Sequence, residues 1–441
     1  MLIGTVVVGL RDASVVLARN ADEQERASSA GAVTGGHGAT PASTRGGAVL
    51  ASHDASGAVP VPGEAGLALL LAGNVFRDAQ ERAAANRAWW GGMSSAEQER
   101  LAGEHVLMIG QLDGLPSAFR HAANVAGIEQ EIERIESAIT SREREIANMS
   151  SLELRGLPPE LGSNGTLAQY REDLVALREL RRAIESNDDL LVLDLRADEH
   201  PVRAAVSVGD PDTADYVSVH VAGTGSNVEK IAGDVDRATS IRDESQRLLR
   251  HEGEHGVVAS VVWAGYDAPD VIVSEAMERR FAEEGAPDFA AFGEGLRVAA
   301  GPEAKITASG HSYGSTVVAL GLQETGAFDA FVASGSPGFG TENSLEVQIP
   351  TGQVYVSYYD MPGDVVAASG AHGDRPQTLP GSTITDNGPR SVTFADGTQS
   401  NYIGPGETWY WQHSDYWDKG RAALFNQAAI TVGREDLVAT R

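Results

Sequence analysis

Ala304-Lys305-Ile306-Thr307-Ala308-Ser309, Gly310-His311-Ser312-Tyr313-Gly314 and Ser315-Thr316-Val317-Val318-Ala319-Leu320-Gly321-Leu322 follow one another without a break. The first stretch reads as a short strand and the third as the buried opening turns of a helix. Between them, a serine is flanked by glycines at minus two and plus two. That arrangement is a nucleophile elbow. The turn is tight enough that a Cβ at either glycine would strike the neighbouring strand or helix, and the serine itself is held under strain. Its Oγ then projects above the sheet at a helix N-terminus, where backbone N–H groups can stabilise an oxyanion.

Strands and helices alternate around the elbow. Leu190 to Leu195, Val202 to Val208 and Tyr216 to Val221 read as strands, Asn227 to Arg250 as a helix, and Val257 to Trp263 as another strand. A helical stretch from Asp270 to Ala300 leads into the elbow strand. Ala327 to Ser334 and Val354 to Tyr359 follow as strands, and Asp415 to Gln427 as a closing helix. Short connections join the first strands and helices join the later ones. The expected fold is therefore α/β, with an antiparallel start and a mostly parallel, doubly wound remainder.

The region upstream is different. Residues 1–65 are expected to be poorly ordered or variable, with an Ala-, Gly-, Ser- and Thr-rich linker from Asp22 to Gly63. Leu2 to Leu10 is apolar, but it lacks a basic lead and Arg11-Asp12 interrupts it, so it reads as a strand or short helix rather than an export signal. Residues 66–187 are expected to be helical, with Ser94 or Ser95 as a cap. Ile128, Ile132, Ile135, Ile139, Ile146 and Met149 form one stripe, and Leu167, Tyr170, Leu174, Leu177 and Ile184 form another. Gly156-Leu157-Pro158-Pro159 breaks the chain between them, which predicts a helical hairpin. It serves either as a packing element or as a partner-binding coiled coil. Residues 188–441 form the α/β unit.

The 441 residues carry a formal net charge of -28 and no cysteine. The acidity argues against nucleic-acid binding, and the missing thiols exclude a cysteine nucleophile and thiolate metal sites. No apolar run approaches the ~20 residues that would span a bilayer. A cytoplasmic location is expected, with secretion by a route that needs no signal peptide left open.

A serine hydroxyl needs a base, and behind such an elbow the chain order is Ser, then Asp or Glu, then His. His372 and His413 are the two histidines after Ser312. His413 sits just before the closing helix, where the base is delivered, and is the expected base. His372 lies in a Gly/Asp-rich loop and is expected to be exposed. The acid should follow the strand Val354 to Tyr359. Asp360 and Asp364 both qualify, and Asp364 is preferred because Pro362-Gly363 can lift it towards the histidine. Asp374 is a more distant option. The acid fixes the imidazole tautomer. The expected oxyanion donors are the N–H groups of Tyr313 and of Thr224, in the loop Ala222-Gly223-Thr224-Gly225.

Two motifs mislead. Gly223-Thr224-Gly225-Ser226-Asn227-Val228 imitates a dinucleotide fingerprint but has valine at the third glycine. His251-Glu252-Gly253-Glu254-His255 spells a zinc-protease pattern, but Gly253, Gly256 and the strand that follows stop the helix it needs. No cofactor or metal is expected. The aromatic stretch Trp409 to Trp417 either walls a substrate pocket or packs as a loop.

Several separated blocks resemble an actinobacterial family of α/β-hydrolases of uncharacterised function with a helical N-terminal segment. They are Trp89-Trp90 to Ser94, Ile109-Gly110-Gln111-Leu112-Asp113-Gly114-Leu115-Pro116 with Arg120 and Ala123-Asn124, Ala222-Gly223-Thr224-Gly225, Gly310 to Ser315, Ser334-Gly335-Ser336-Pro337-Gly338, and His413-Ser414 to Trp417. Alanine at Ala222, where proline is expected, is a small departure. The resemblance spans about Arg87 to Leu424. It implies an α/β-hydrolase fold with a triad at Ser312, Asp364 and His413, and no particular substrate. The expected activity is a serine esterase acting on a small-molecule or lipid-like ester. Peptidase, thioesterase or lactonase chemistry uses the same parts. A non-catalytic interaction protein working through the helical region is the contrasting alternative.

Overall fold

The computed structural model describes residues 63–71, 76–150, 166–185, 189–194, 201–270, 274–341, 346–361, 363–406 and 412–441. The expected Leu2 to Leu10 element, the linker up to residue 62, the Gly156-to-Pro159 break and Trp409 to Trp411 lie outside the described residues.

Helices α1 (Glu64–Leu71), α2 (Ala79–Gly91), α3 (Ser95–Glu104), α4 (Val106–Gly110) and the start of α5 (Ser117–Asn148) enclose a cluster around Trp89, Trp90, Leu101, Ile109 and Phe119. Ser94 begins α3 through a capping box with Glu97. The stripe of α5 meets that of α6 (Thr166–Ile184), and Ile128, Ile132, Ile135, Leu177 and Ile184 share one core with strands β1 (Asp189–Asp194) and β2 (Arg203–Val208). Much of the hairpin's apolar stripe therefore packs against the sheet. Cross-helix pairs such as Arg178–Glu136 at 2.7 Å decorate its exposed side, where they contribute little stability.

The chain continues through β3 (Tyr216–Val221), α7 (Ile231–Glu252), β4 (Val258–Ala264), α8 (Arg280–Ala300), β5 (Lys305–His311), α9 (Tyr313–Gly321), β6 (Ala330–Ser334), β7 (Val354–Ser357), β8 (Ser382–Ile384), β9 (Arg390–Thr393), β10 (Gln399–Tyr402) and α10 (Ala422–Thr431). Eight strands form one sheet in the order β1-β2-β4-β3-β5-β6-β7-β8. β2 pairs antiparallel with β1 and β4, and every later pairing is parallel. β9 and β10 form a separate hairpin.

Two expectations need correction. The closing helix does not begin at Asp415: residues Gln412–Trp417 form a 3₁₀ turn, and α10 starts only at Ala422. Gly420 interrupts them at φ +81°, a conformation that favours glycine and ends a helix. Strands β8 to β10 were not expected, because segments of three or four residues rich in Ser and Thr carry little periodicity. Among the described residues, no helix is long and apolar enough to cross a membrane.

Candidate active site

The loops after β3, β5, β6 and β7 meet at the carboxyl ends of the parallel strands, the usual place for a ligand crevice in such sheets. Ser312 follows β5 and caps α9 with φ 53° and ψ -130°, the one non-glycine residue of positive φ among the described residues. A conformation of that kind costs about 1–3 kcal/mol and persists only when its surroundings enforce it. Here Ser312 N–H donates to Ser334 O at 2.9 Å, and Ser315 Oγ donates to Ser312 O at 2.6 Å. A Cβ on Gly310 would lie 2.4 Å from Ser315 Cα, and one on Gly314 would lie 2.4 Å from Val221 O and Ala222 O. Only glycine fits at either position.

The loop after β3 lies against the elbow. A Cβ on Gly223 would come within 2.7 Å of Ser312 Cβ and 3.0 Å of Tyr313 N. Tyr266 Oη, donating to Ala222 O at 2.8 Å, ties this loop down. Thr224 follows directly and is half-buried. Among the described residues, neither Tyr313 N–H nor Thr224 N–H has a backbone acceptor.

Asp364 is fully buried on the loop after β7. Its Oδ1 accepts from His413 Nδ1 at 2.9 Å, Ala367 N at 3.0 Å and Val366 N at 3.1 Å. Its Oδ2 accepts from Tyr416 Oη at 2.6 Å. Burial opposes ionisation, but the hydrogen bond and charge of His413, with the bonds from Ala367 and Tyr416, outweigh it and hold the carboxyl below its ordinary value. An ionised carboxylate only accepts, so His413 Nδ1 is the donor in this bond. Asp360 lies apart, exposed and paired with Arg441 at 3.0 Å. Asp374 is exposed as well.

Gly335 sits between the groups. Its φ is +59°, and a Cβ there would lie 2.9 Å from both Asp364 Oδ2 and His413 Cε1. Its neighbour Ser334 holds the Ser312 N–H, so one short segment after β6 touches all three residues. Ser312 Oγ and His413 Nε2 have no hydrogen-bond partner among the described residues and are not bonded to each other. Such bonds are commonly long in unliganded sites and tighten around the substrate.

His311 and Tyr416 were not singled out in the sequence. His311 Nε2–H donates to His413 O at 2.7 Å, anchoring the loop that carries His413. Burial, reinforced by the neighbouring His413, pushes its pKa well below the ordinary value, so its ring stays neutral. Position 311 inside the elbow was its only sequence signal.

His372 corrects an expectation: it is 3% exposed rather than open to solvent. Its Nε2–H donates to Ala276 O at 2.8 Å and its ring stands edge-on to Tyr313 at 5.0 Å. Packing against another loop, which local composition does not report, buries it. In the aromatic stretch, Tyr416 and Trp417 are buried, Tyr416 stacking on Tyr359 at 4.6 Å and Trp417 edge-on to His311 at 4.7 Å. These two rings pack the loop rather than wall a pocket.

The zinc-like motif ends as expected. Helix α7 stops at Glu252, Gly253 caps it at φ 73°, and His251 bonds Asp396 at 2.9 Å. Among the described residues, Glu64, Glu104 and His105 could approach one cation, but Arg100 already bridges both glutamates.

A strained serine elbow over a parallel sheet, beside a buried Asp–His pair, defines the hydrolase class of α/β proteins. A family model described as "Alpha/beta hydrolase" matches residues 198–372. An uncharacterized protein of Mycobacterium bovis is 32% identical over 231 residues, covering 51% of this chain and 86% of that protein. The chain belongs to the alpha/beta hydrolase family. A second uncharacterized protein, from Mycobacterium tuberculosis, is 30% identical over 384 residues, 80% of this chain and 56% of its own length. Among solved structures, a dienelactone hydrolase from Anabaena variabilis is 16% identical with a TM-score of 0.28, over 42% of this chain and 78% of its own.

Proposed function

We propose that this protein is a serine esterase that cleaves a small-molecule or lipid-like carboxylic ester through an acyl-enzyme. Ser312 Oγ attacks the carbonyl carbon while its proton passes to His413 Nε2. Asp364 holds the imidazole tautomer and stabilises the imidazolium that forms. The N–H groups of Tyr313 and Thr224 receive the oxyanion. His413 then protonates the departing alkoxide, and a water deprotonated by the same ring releases the acid and regenerates Ser312. The observation that carries the reading is the 2.9 Å bond from His413 to a fully buried, ionised Asp364 beside a strained serine. Amides, thioesters and lactones would use the same groups. An ester makes less demand than an amide, because its alkoxide leaves more readily than an amine.

Turnover of p-nitrophenyl esters of two to twelve acyl carbons tests this. Asp364→Asn should lose on the order of 10³–10⁴-fold in kcat, while Asp360→Asn stays within about twofold, as expected for an exposed ion pair. Equal losses in the two variants, or no turnover of any chain length by the native protein, would overturn the assignment.

A further inference from the structure

His413 and Tyr416 lie three residues apart in the 3₁₀ turn Gln412–Trp417. With three residues per turn, side chains at i and i+3 eclipse one another, so both reach the same carboxylate. His413 takes Oδ1 of Asp364 at 2.9 Å and Tyr416 takes Oδ2 at 2.6 Å. Two further bonds fix the turn: His311 Nε2–H to His413 O at 2.7 Å, and Gln427 Nε2–H to Tyr416 O at 3.0 Å. Among the described residues, Tyr416 is the sole donor to Oδ2. Resting on the reading that the Asp364–His413 pair activates Ser312, we propose that Tyr416 is a positioning residue that locks the Asp364 carboxylate towards His413 and lowers the proton affinity of the pair.

The chemistry follows from burial. Tyr416 and Asp364 are both fully buried. An anionic oxygen stripped of water and left without a donor is costly, so the pair would recover the loss by binding a proton more tightly. One hydrogen bond couples the two groups, so the pair titrates as a unit. Burial and the charge of Asp364 raise the Tyr416 hydroxyl well above the ordinary phenol value, so it remains a donor throughout the working range. Among the described residues, the other groups facing the pair are few. His311 of β5 is neutral, Arg237 of α7 is engaged with Asp234 at 2.7 Å, and Arg421 is paired with Asp415 at 3.2 Å and Asp418 at 2.9 Å. Tyr359 stacks on Tyr416, but its hydroxyl has no partner among the described residues, which makes it the natural control.

The test measures the rate of fluorophosphonate labelling between pH 5 and 9, together with a ¹⁵N–¹H titration of the His413 ring assigned by loss of its signals in His413→Gln. Tyr416→Phe should move the acid limb and the His413 titration to higher pH by about one unit, the scale of a hydrogen bond to a charge. Labelling at high pH should stay near the native rate. Tyr359→Phe should leave both midpoints in place. Replacing Tyr416 with 3-fluorotyrosine, a stronger donor of nearly the same shape, should shift them downwards, and it decides the matter alone if the phenylalanine variant fails to fold. Coincident midpoints in the native protein and the Tyr416 variants would overturn the inference. Native protein labelled no faster than Ser312→Ala would overturn the hydrolase reading instead, and the ring titration would still judge Tyr416.

Discussion

The face of the sheet under α8 and α9 carries Val217, Val219, Val221, Ala308, Phe331, Ala333, Val354 and Val356, all in one buried apolar cluster. The face under α7 and α10 carries Ser218, His220, Thr307, Ser309, His311, Ser334 and Ser357 on the same strands, buried just as deeply. Alternation along a strand sends successive side chains to opposite faces, so one set of strands supplies both. The first face stabilises through apolar burial. The second leads towards His413, with His311 bonded to its carbonyl and Trp417 packed between His311 and His220. Several of its polar atoms, on His220, Thr307 and Ser334, have no partner among the described residues. The polar row is therefore confined to one side of the sheet, where it runs among smaller apolar clusters such as Ala330, Val332 and Tyr355 with Ile430.

That division can be broken at several points. Phe331→Ala, on the apolar face, should destabilise by about 3–5 kcal/mol in urea titrations while the folded fraction still labels at Ser312. A loss below ~1 kcal/mol would show that this face is not the stabilising one. Gly335→Ala drives a Cβ between Asp364 and His413 and should slow labelling about 100-fold, the scale of an ångström-level misplacement. Unchanged labelling would mean that the segment after β6 does not set the pair.

The pH dependence of stability reads the polar face. Burial pushes His220 down to about 3, with Arg237 adding to the effect. The unfolded chain takes up a proton near pH 6.5 and the folded chain does not, so stability is full above pH 6.5 and declines as pH falls towards 3. His220→Leu should remove about 2 kcal/mol of the loss between pH 7.5 and pH 5. An unaltered pH dependence would contradict a neutral buried His220. Smallest of all, Ser334→Ala removes an unpartnered hydroxyl and should change stability by less than about 1 kcal/mol.

The sequence made the elbow legible because strand, glycines, serine and helix are contiguous, and the parallel sheet followed from alternating elements. His413 was the base expected from chain order, and the fold pairs it with Asp364. The two aspartates after β7 were distinguished only by the Pro362-Gly363 turn, and Asp364 is the one the fold buries. Tyr416 escaped notice because its partner is 52 residues away in the chain, and an i, i+3 pair is informative only once the segment is known to be a 3₁₀ turn. The burial of His372 was hidden for a similar reason, since a distant loop covers it. Contacts of that kind belong to tertiary packing, which no local pattern encodes.

We propose Ser312 as a nucleophile activated by Asp364 and His413. Fluorophosphonate labelling followed by peptide mapping tests it most directly. The native protein should gain one adduct, on Ser312, with no adduct in Ser312→Ala and strongly slowed labelling in His413→Gln. An adduct on another residue, or equal labelling of Ser312→Ala, would contradict it.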